Sequence, residues 1–240
     1  MRVLQLKHGL GIDGASQMVV SLANAIGAYG VLFDVLIDEP LSKANEPYVR
    51  EISASGGRVL SIEDAWNSSR KLVPHKLFKL LYSYKVMRSG GYEVAHLQTD
   101  TPSRIQMLMV AKAAGIRKRI VHSHNSSCEA AETEGKRQES FRRKMGSVAT
   151  GYIACSDEAA EWLFPHEVAE SRSYLLLKNG VRLDAYRFDV HRRAEVRASL
   201  GLGDEAAVAC IGRLAPQKNL GFALNVLGRL VERGAPVSLV

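Results

Sequence analysis

The chain has 240 residues, a formal net charge of +7 and 46% hydrophobic residues. That length suits one large domain or a domain and a half of a globular protein, and no apolar run approaches the ~20 residues of a membrane span. Cys128, Cys155 and Cys210 are odd in number and form no CxxC pair, which argues against a disulfide framework and a zinc site.

The positive balance favours an acidic partner such as a nucleotide phosphate or an anionic lipid headgroup. No nucleic-acid-binding signature is present, and the aromatic residues are not interleaved with the basic clusters, so nucleic acid is not an expected partner. The first residues show no secretory signal pattern, and the expected location is the cytoplasm.

Arg2 to Lys7 reads as a short buried strand. After the turn Lys7-His8-Gly9-Leu10-Gly11-Ile12-Asp13-Gly14, apolar residues from Ala15 to Ile26 recur at helical spacing. Val31 to Ile37 is the next strand, completing a βαβ unit. Gly9, Gly11 and Gly14 fit G-x-G-x-x-G, and Asp38 follows at about the ~20-residue distance of a dinucleotide fingerprint. A turn that simply needs glycine is the alternative.

Glu46 to Ser55 is predicted helical and Arg58 to Ile62 a strand. Ala65 to Arg88 reads as one long basic helix, in which lysines and arginines alternate with Leu72, Leu77, Phe78, Leu80, Leu81 and Tyr84. Such a helix can rest on an anionic membrane; a surface helix with a core face and solvated lysines is the alternative. Glu93 to Leu97 is a strand and Ser103 to Ala114 a helix.

Arg119 to Val121 leads into His122-Ser123-His124-Asn125, a polar cluster at a strand's carboxyl end, the ligand edge of a parallel sheet. The reading places His122 and His124 on opposite faces, against joint ligation of one metal. Cys128 to Arg143 reads as a loop and the first turns of a helix ending near Ala149. Tyr152 to Cys155 is a strand, with Ser156 and Asp157 capping a helix over Glu158 to Leu163.

Tyr174 to Leu177 is a strand, Asn179-Gly180 a tight turn, and His191 to Leu200 a helix. Ala206 to Ile211 is expected to be a buried strand and Leu220 to Glu232 a helix. Between them lies Gly212-Arg213-Leu214-Ala215-Pro216-Gln217-Lys218-Asn219. Free N–H groups and the dipole at a helix start favour an anion. Arg213 can grip phosphate oxygens in a fork and Lys218 adds a point charge, so the segment is read as a diphosphate site. A solvated basic turn is the alternative.

Gly212-Arg213-Leu214 with Gln217-Lys218-Asn219 resembles the G-R-[LF]-x-x-[QE]-K-N signature of family-4 glycosyltransferases of the GT-B fold. Other segments are similar to the family's in the same order: the glycine-rich first loop, the stretch ending His122-Ser123-His124-Asn125, Ile153-Ala154-Cys155-Ser156, and Asn179-Gly180-Val181 with Phe188. The resemblance implies an α/β, GT-B-like fold. A complete N-terminal Rossmann-like domain with a parallel sheet would span 1–178, a hinge 179–204, and the start of a nucleotide-sugar-binding domain 205–240.

It further implies a retaining, metal-independent hexosyltransferase without a cofactor. The enzyme would move a sugar from a UDP- or GDP-sugar to a glycan or lipid-linked acceptor, as in bacterial exopolysaccharide or capsule synthesis at the inner face of the membrane. Arg213 and Lys218 would stabilise the departing diphosphate. His124, with His122 as alternate, would contact the transferred sugar or the acceptor. Gly11, Gly14, Gly212 and Asn219 would make the diphosphate or cleft contacts.

The family's pair of glutamates deep in the second domain has no counterpart before Val240. The chain is therefore expected to be a C-terminally truncated piece, inactive by itself. The competing readings are an NAD-dependent oxidoreductase resting on Gly9, Gly11, Gly14 and Asp38, and a non-enzymatic remnant that binds a membrane or a partner.

Overall fold

A computed structural model describes residues 1–125, 135–180, 183–212, 214 and 218–240. The chain divides into two compact units, Met1–Val181 and Arg182–Val240. Unit 1 is built on seven strands: β1 Arg2–Lys7, β2 Leu32–Ile37, β3 Val59–Ser61, β4 Val94–Thr99, β5 Lys118–Ser123, β6 Gly151–Ala154 and β7 Leu175–Leu176. Its helices are α1 Gly14–Gly27, α2 Glu46–Ala54, α3 Ile62–Asn67, α4 His75–Ser89, α5 Gln106–Ala113, α6 Gly135–Val148, α7 Asp157–Leu163 and α8 His166–Glu170.

The sheet order is β3-β2-β1-β4-β5-β6-β7 and every pairing is parallel. Strands covered on both faces read as continuous apolar runs, and the six residues of β4 are all buried. One core cluster joins Leu4, Leu6, Leu97, Leu108 and Phe164; a second joins Val19, Val20, Val35, Ile37 and Ile52. The chain starts at β1, runs outward to β3, then returns to β4 on the other side of β1. Strand order thus reverses between β1 and β4. A crevice opens at such a switch point, beyond the carboxyl ends of the two strands.

Local chemistry sets the element boundaries. Asp13 caps α1 by accepting from the Ser16 N–H at 2.8 Å, and Ser156 caps α7 by accepting from the Ala159 N–H at 3.2 Å. The predicted single helix over 65–88 is two helices. Pro74 precedes the first residue of α4, and Lys71 takes a left-handed φ of 52°. Proline disfavours helical backbone in the residue before it, so the apolar spacing continues through a break that the ring imposes.

At the amino end of the sheet, the fully buried carboxylate of Asp34 on β2 gathers three neighbours. It accepts from the Arg58 N–H at 2.9 Å, the Arg58 guanidinium at 2.7 Å and the Tyr92 hydroxyl at 2.7 Å, and pairs with Arg2 at 3.2 Å. Burial alone would raise the Asp34 pKa; the hydrogen bonds from Arg58 and Tyr92 and the charges of Arg58 and Arg2 hold it below the usual carboxylate value.

Gly57 sits beside this clasp, and a Cβ there would lie 1.9 Å from the Phe33 carbonyl oxygen. Because the obstacle is backbone, Gly57→Ala must displace the β2–β3 edge. A loss of about 1–3 kcal/mol is expected, read as a lower urea midpoint with an unchanged slope.

Unit 2 holds α9 Val190–Ser199, β8 Ala206–Val208, α10 Leu220–Glu232 and β9 Val237–Leu239, with β8 and β9 paired in parallel. Ala206 to Ile211 was expected to be a buried strand. The strand covers only Ala206–Val208, and its residues are exposed. Two strands and their crossover helix present too little surface to enclose one another, and no described residue of this unit is buried.

Candidate functional site

The crevice of unit 1 is floored by a row of polar side chains on otherwise apolar strands. Gln5 on β1 lies beside His96 on β4, and Gln98 on β4 lies beside His122 on β5. All four are buried. His124 follows the end of β5, so that three imidazoles form one stack. The His96 and His122 rings are 5.4 Å apart and those of His122 and His124 are 4.3 Å apart. The expectation that His122 and His124 face opposite ways is therefore corrected. In an extended chain residues two apart share a face.

Hydrogen bonds fix the protons in this row. The Gln98 amide donates to the Gln5 side-chain oxygen at 2.7 Å and lies 3.3 Å from Nε2 of His96. Its oxygen, turned the other way, meets Nε2 of His124 at 2.5 Å. An amide oxygen only accepts, so His124 carries its proton on Nε2 and holds a lone pair on Nδ1. That Nδ1 is buried and has no partner among the described residues. Burial, then the Lys7 charge, lowers the His124 pKa to about 4, with Asp13 opposing. Burial, then the charge of His124, takes His96 to about 3; burial with both neighbouring rings takes His122 to about 2. All three are neutral near pH 7. His124 can therefore accept a hydroxyl proton in a hydrogen bond but carries no charge there.

Lys7, the last residue of β1, reaches over the same crevice. Its Nζ donates to the Gly9 carbonyl at 2.8 Å and to Asp13 Oδ2 at 3.3 Å. Gly11 stands against Asp13, where an added Cβ would lie 3.2 Å from Oδ2. At Gly14 an added Cβ would lie 3.9 Å from the Asn179 side-chain amide. The structure thus places Gly11 and Gly14 after β1 and His124 after β5, all on the carboxyl edge of one sheet, together with Lys7, Asp13 and Gln98. These last three were not singled out in the sequence. Gln98 had a visible signal: a polar residue near the carboxyl end of a strand buried throughout.

The same loop weighs against a dinucleotide reading. Gly9, Gly11 and Gly14 adopt no left-handed φ, and the Asp13 carboxylate occupies the start of α1, where a pyrophosphate would need free N–H groups. Asp38, which should receive a ribose hydroxyl, is already engaged. Its Oδ2 meets Arg104 at 2.7 Å, Lys79 at 2.8 Å and His8 at 3.3 Å. Burial pushes its pKa up, but the His8 hydrogen bond and the Arg104 and Lys79 charges hold it well below the carboxylate range. A cavity of about 300 Å³ adjoins it, lined by Pro40, Ile62, Glu63 and His75 among others.

In unit 2, Lys218 is exposed, and its aliphatic stem crosses Gly212 so closely that a Cβ there would lie 3.2 Å from Cγ. Asn219 takes a left-handed conformation (φ 45°, ψ 46°) at the start of α10 without a side-chain capping bond. Its carbonyl accepts from the Phe222 N–H at 3.0 Å. Arg213 lies outside the described residues, as do Ala215, Pro216 and Gln217.

No protein-family model matches the chain. It is 28% identical over 244 residues to EpsF of Bacillus subtilis (strain 168), named a "putative glycosyltransferase"; the match covers 100% of this chain and 61% of EpsF. Among solved structures, Anabaena Alr3699/HepE in complex with UDP and glucose matches with a TM-score of 0.71 at 15% identity, over 100% of this chain and 60% of that one. UDP-GlcNAc 2-epimerase from Neisseria meningitidis bound to UDP-GlcNAc matches with a TM-score of 0.58 at 12% identity, over 100% of this chain and 66% of that one. The chain thus spans about three fifths of the length of EpsF and of the Anabaena protein. At these identities the structural likenesses establish the fold, the GT-B-like α/β architecture with a parallel sheet that the sequence led us to expect.

Proposed function

We propose that the chain is part of a nucleotide-sugar-dependent glycosyltransferase, with unit 1 holding the acceptor and the segment around Gly212–Asn219 holding the donor diphosphate. The observation that carries the reading is the neutral His124. Gln98 on β4 orients it at the carboxyl edge of the parallel sheet, one strand from the switch point. Its unpartnered Nδ1 is buried, so a substrate hydroxyl reaches it only when its cover moves aside. Such a group aligns a sugar hydroxyl by accepting its proton in a hydrogen bond, without placing a charge beside the reacting carbon. The similarity to EpsF supports the same reaction class. The UDP and UDP-sugar bound by fold relatives favour a uridine nucleotide.

In this reading Arg213 and Lys218 meet the diphosphate, whose charge grows as the bond to the sugar breaks. Electrostatic stabilisation there lowers the barrier. The free N–H groups at the start of α10 add to it, since Asn219 leaves them uncapped. The Gly212 position lets the Lys218 stem lie flat while its ammonium reaches outward. Transfer with retention, no metal requirement, and a glycan or lipid-linked acceptor in cell-surface polysaccharide synthesis belong to the same proposal.

Calorimetric titration of UDP and of GDP into the protein tests it. Charge-assisted hydrogen bonds contribute about 1.5–3 kcal/mol each. Arg213→Ala or Lys218→Ala should therefore weaken UDP binding by roughly ten- to a hundredfold, while the thermal midpoint stays unchanged. UDP affinity indifferent to both substitutions would remove the diphosphate site from the proposal.

A further inference from the structure

Helix α4 carries apolar residues all round, so its sequence periodicity does not select a core face. Phe78, Tyr82, Val86 and Met87 pack inward, with Phe78 stacked on Tyr82 at 5.7 Å and edge-on to Trp66 at 5.2 Å. Lys79 also turns inward, to its ion pair with Asp38. These contacts fix the rotation of the helix and leave the opposite face to solvent. That face carries Leu77 (44% exposed), Leu80 (41%), Leu81 (53%) and Tyr84 (41%), and Leu72 just before the helix is 84% exposed. Positions 77, 80, 81 and 84 fall within one stripe of a helix, so the four side chains form a single apolar ridge.

Cations surround the ridge. Arg70, Lys76, Lys85 and Arg88 are exposed and form no ion pair among the described residues. From 65 to 92 the sequence contains no aspartate or glutamate. Glu63 meets His75 at the start of α4 at 2.9 Å, but the stretch that bears the ridge supplies only cations around it, a bias that an ordinary protein surface would not require. A lipid bilayer with anionic headgroups needs both parts: apolar side chains to enter the acyl boundary, and long cationic side chains whose stems lie along it while their charges meet phosphates. The helix is too short and too charged to cross a bilayer, and no described helix is long and apolar enough to do so.

We infer that the outer face of α4 is a docking surface for an anionic membrane, on which unit 1 rests with Leu77, Leu80, Leu81 and Tyr84 inserted at headgroup depth. The inference stands apart from the donor and acceptor sites and does not depend on the transferase reading.

Co-sedimentation of the whole 240-residue chain with vesicles tests it. Binding is expected to mixed phosphatidylcholine–phosphatidylglycerol vesicles, to weaken steeply as salt is added, and to be far weaker to phosphatidylcholine alone. Each cation near such a surface contributes about fivefold in partitioning. Reversing Lys76→Glu with Lys85→Glu should therefore cost at least about twenty-five-fold, and Leu77→Gln with Leu81→Gln about tenfold. All four side chains are exposed, so circular dichroism should show both double variants folded. No vesicle binding, equal binding to neutral and anionic vesicles, or binding indifferent to both double variants overturns the inference. So does a concentration-dependent dimer abolished by the leucine pair in a protein that ignores vesicles, which would assign the ridge to a second copy of the chain.

Discussion

Between about pH 6.5 and about pH 4 unit 1 is expected to lose most of its folding free energy, because three of its histidines cannot accept protons in place. In the folded chain His96, His122 and His124 titrate at about 3, about 2 and about 4; in the unfolded chain each titrates near 6.5. Above about 6.5 neither state is protonated, and these groups leave stability independent of pH. Below it the unfolded chain binds three protons that the folded chain refuses, so stability falls as the pH falls. The slope is about 1.4 kcal/mol per ring per pH unit, or about 4 for the three together.

At about pH 5 the accumulated loss reaches about 6 kcal/mol, set against a typical total of ~5–15. Asp13, Asp34 and Asp38, whose pKa values are lowered in the fold, act only below their free value near 4 and so in a separate window. Urea midpoints followed across this range by circular dichroism measure the effect. His122→Phe should reduce the slope by about a third. It should also raise stability near neutrality by about 1 kcal/mol, since both His122 nitrogens are buried without a partner among the described residues. Midpoints that stay level from pH 7 to pH 5 would show that the stack takes up protons without unfolding.

Asp34→Ala is expected to destabilise unit 1 by about 3–5 kcal/mol, the usual cost of removing one partner from a buried ion pair. The carboxylate is the common acceptor for Arg2 on β1, the Arg58 backbone and guanidinium before β3, and the Tyr92 hydroxyl before β4. Its loss strands the Tyr92 hydroxyl, which is buried, while Arg2 and Arg58 are partly exposed and can recover water. The effect should therefore fall toward the lower end of that range. Asp34→Asn keeps an acceptor for Tyr92 or Arg58 but not the charge, and should cost less. The two urea midpoints should rank wild type, Asn, Ala; an alanine variant within about 1 kcal/mol of wild type would show that solvent fully replaces the clasp.

The parallel sheet was legible because its strands are continuous apolar runs separated by glycine turns and amphipathic helices; Arg2–Lys7 and Leu220–Glu232 were read to the residue. The break between α3 and α4 was missed because the apolar spacing runs straight through it, although Pro74 marks the place. Ala206 to Ile211 was apolar enough to suggest burial, but apolarity cannot supply the neighbouring surface that burial requires. The site was legible in part. A histidine at the end of β5 drew notice for its position, yet its working partner Gln98 lies 26 residues away, and only strand register brings the two together. The Asp34 clasp spans 58 residues to Tyr92, and no local pattern announces a charge that will be buried.

Arg2, Arg58 and Tyr92 of the clasp lie at or before the amino ends of their strands, while Lys7, Gln98 and His124 lie at or near the carboxyl ends. β1, β2, β4 and β5 are each six residues long, about 20 Å of extended chain. Substitutions in two such groups, with no shared hydrogen-bond partner among the described residues, combine nearly additively. In the proposed transferase, descent with modification can therefore rework the loops above Lys7, Gln98 and His124, and with them the choice of acceptor, while the clasp at the amino end goes on unchanged. The cost of a new specificity is then set by the loops alone, and a lineage can try many before any of them endangers the fold.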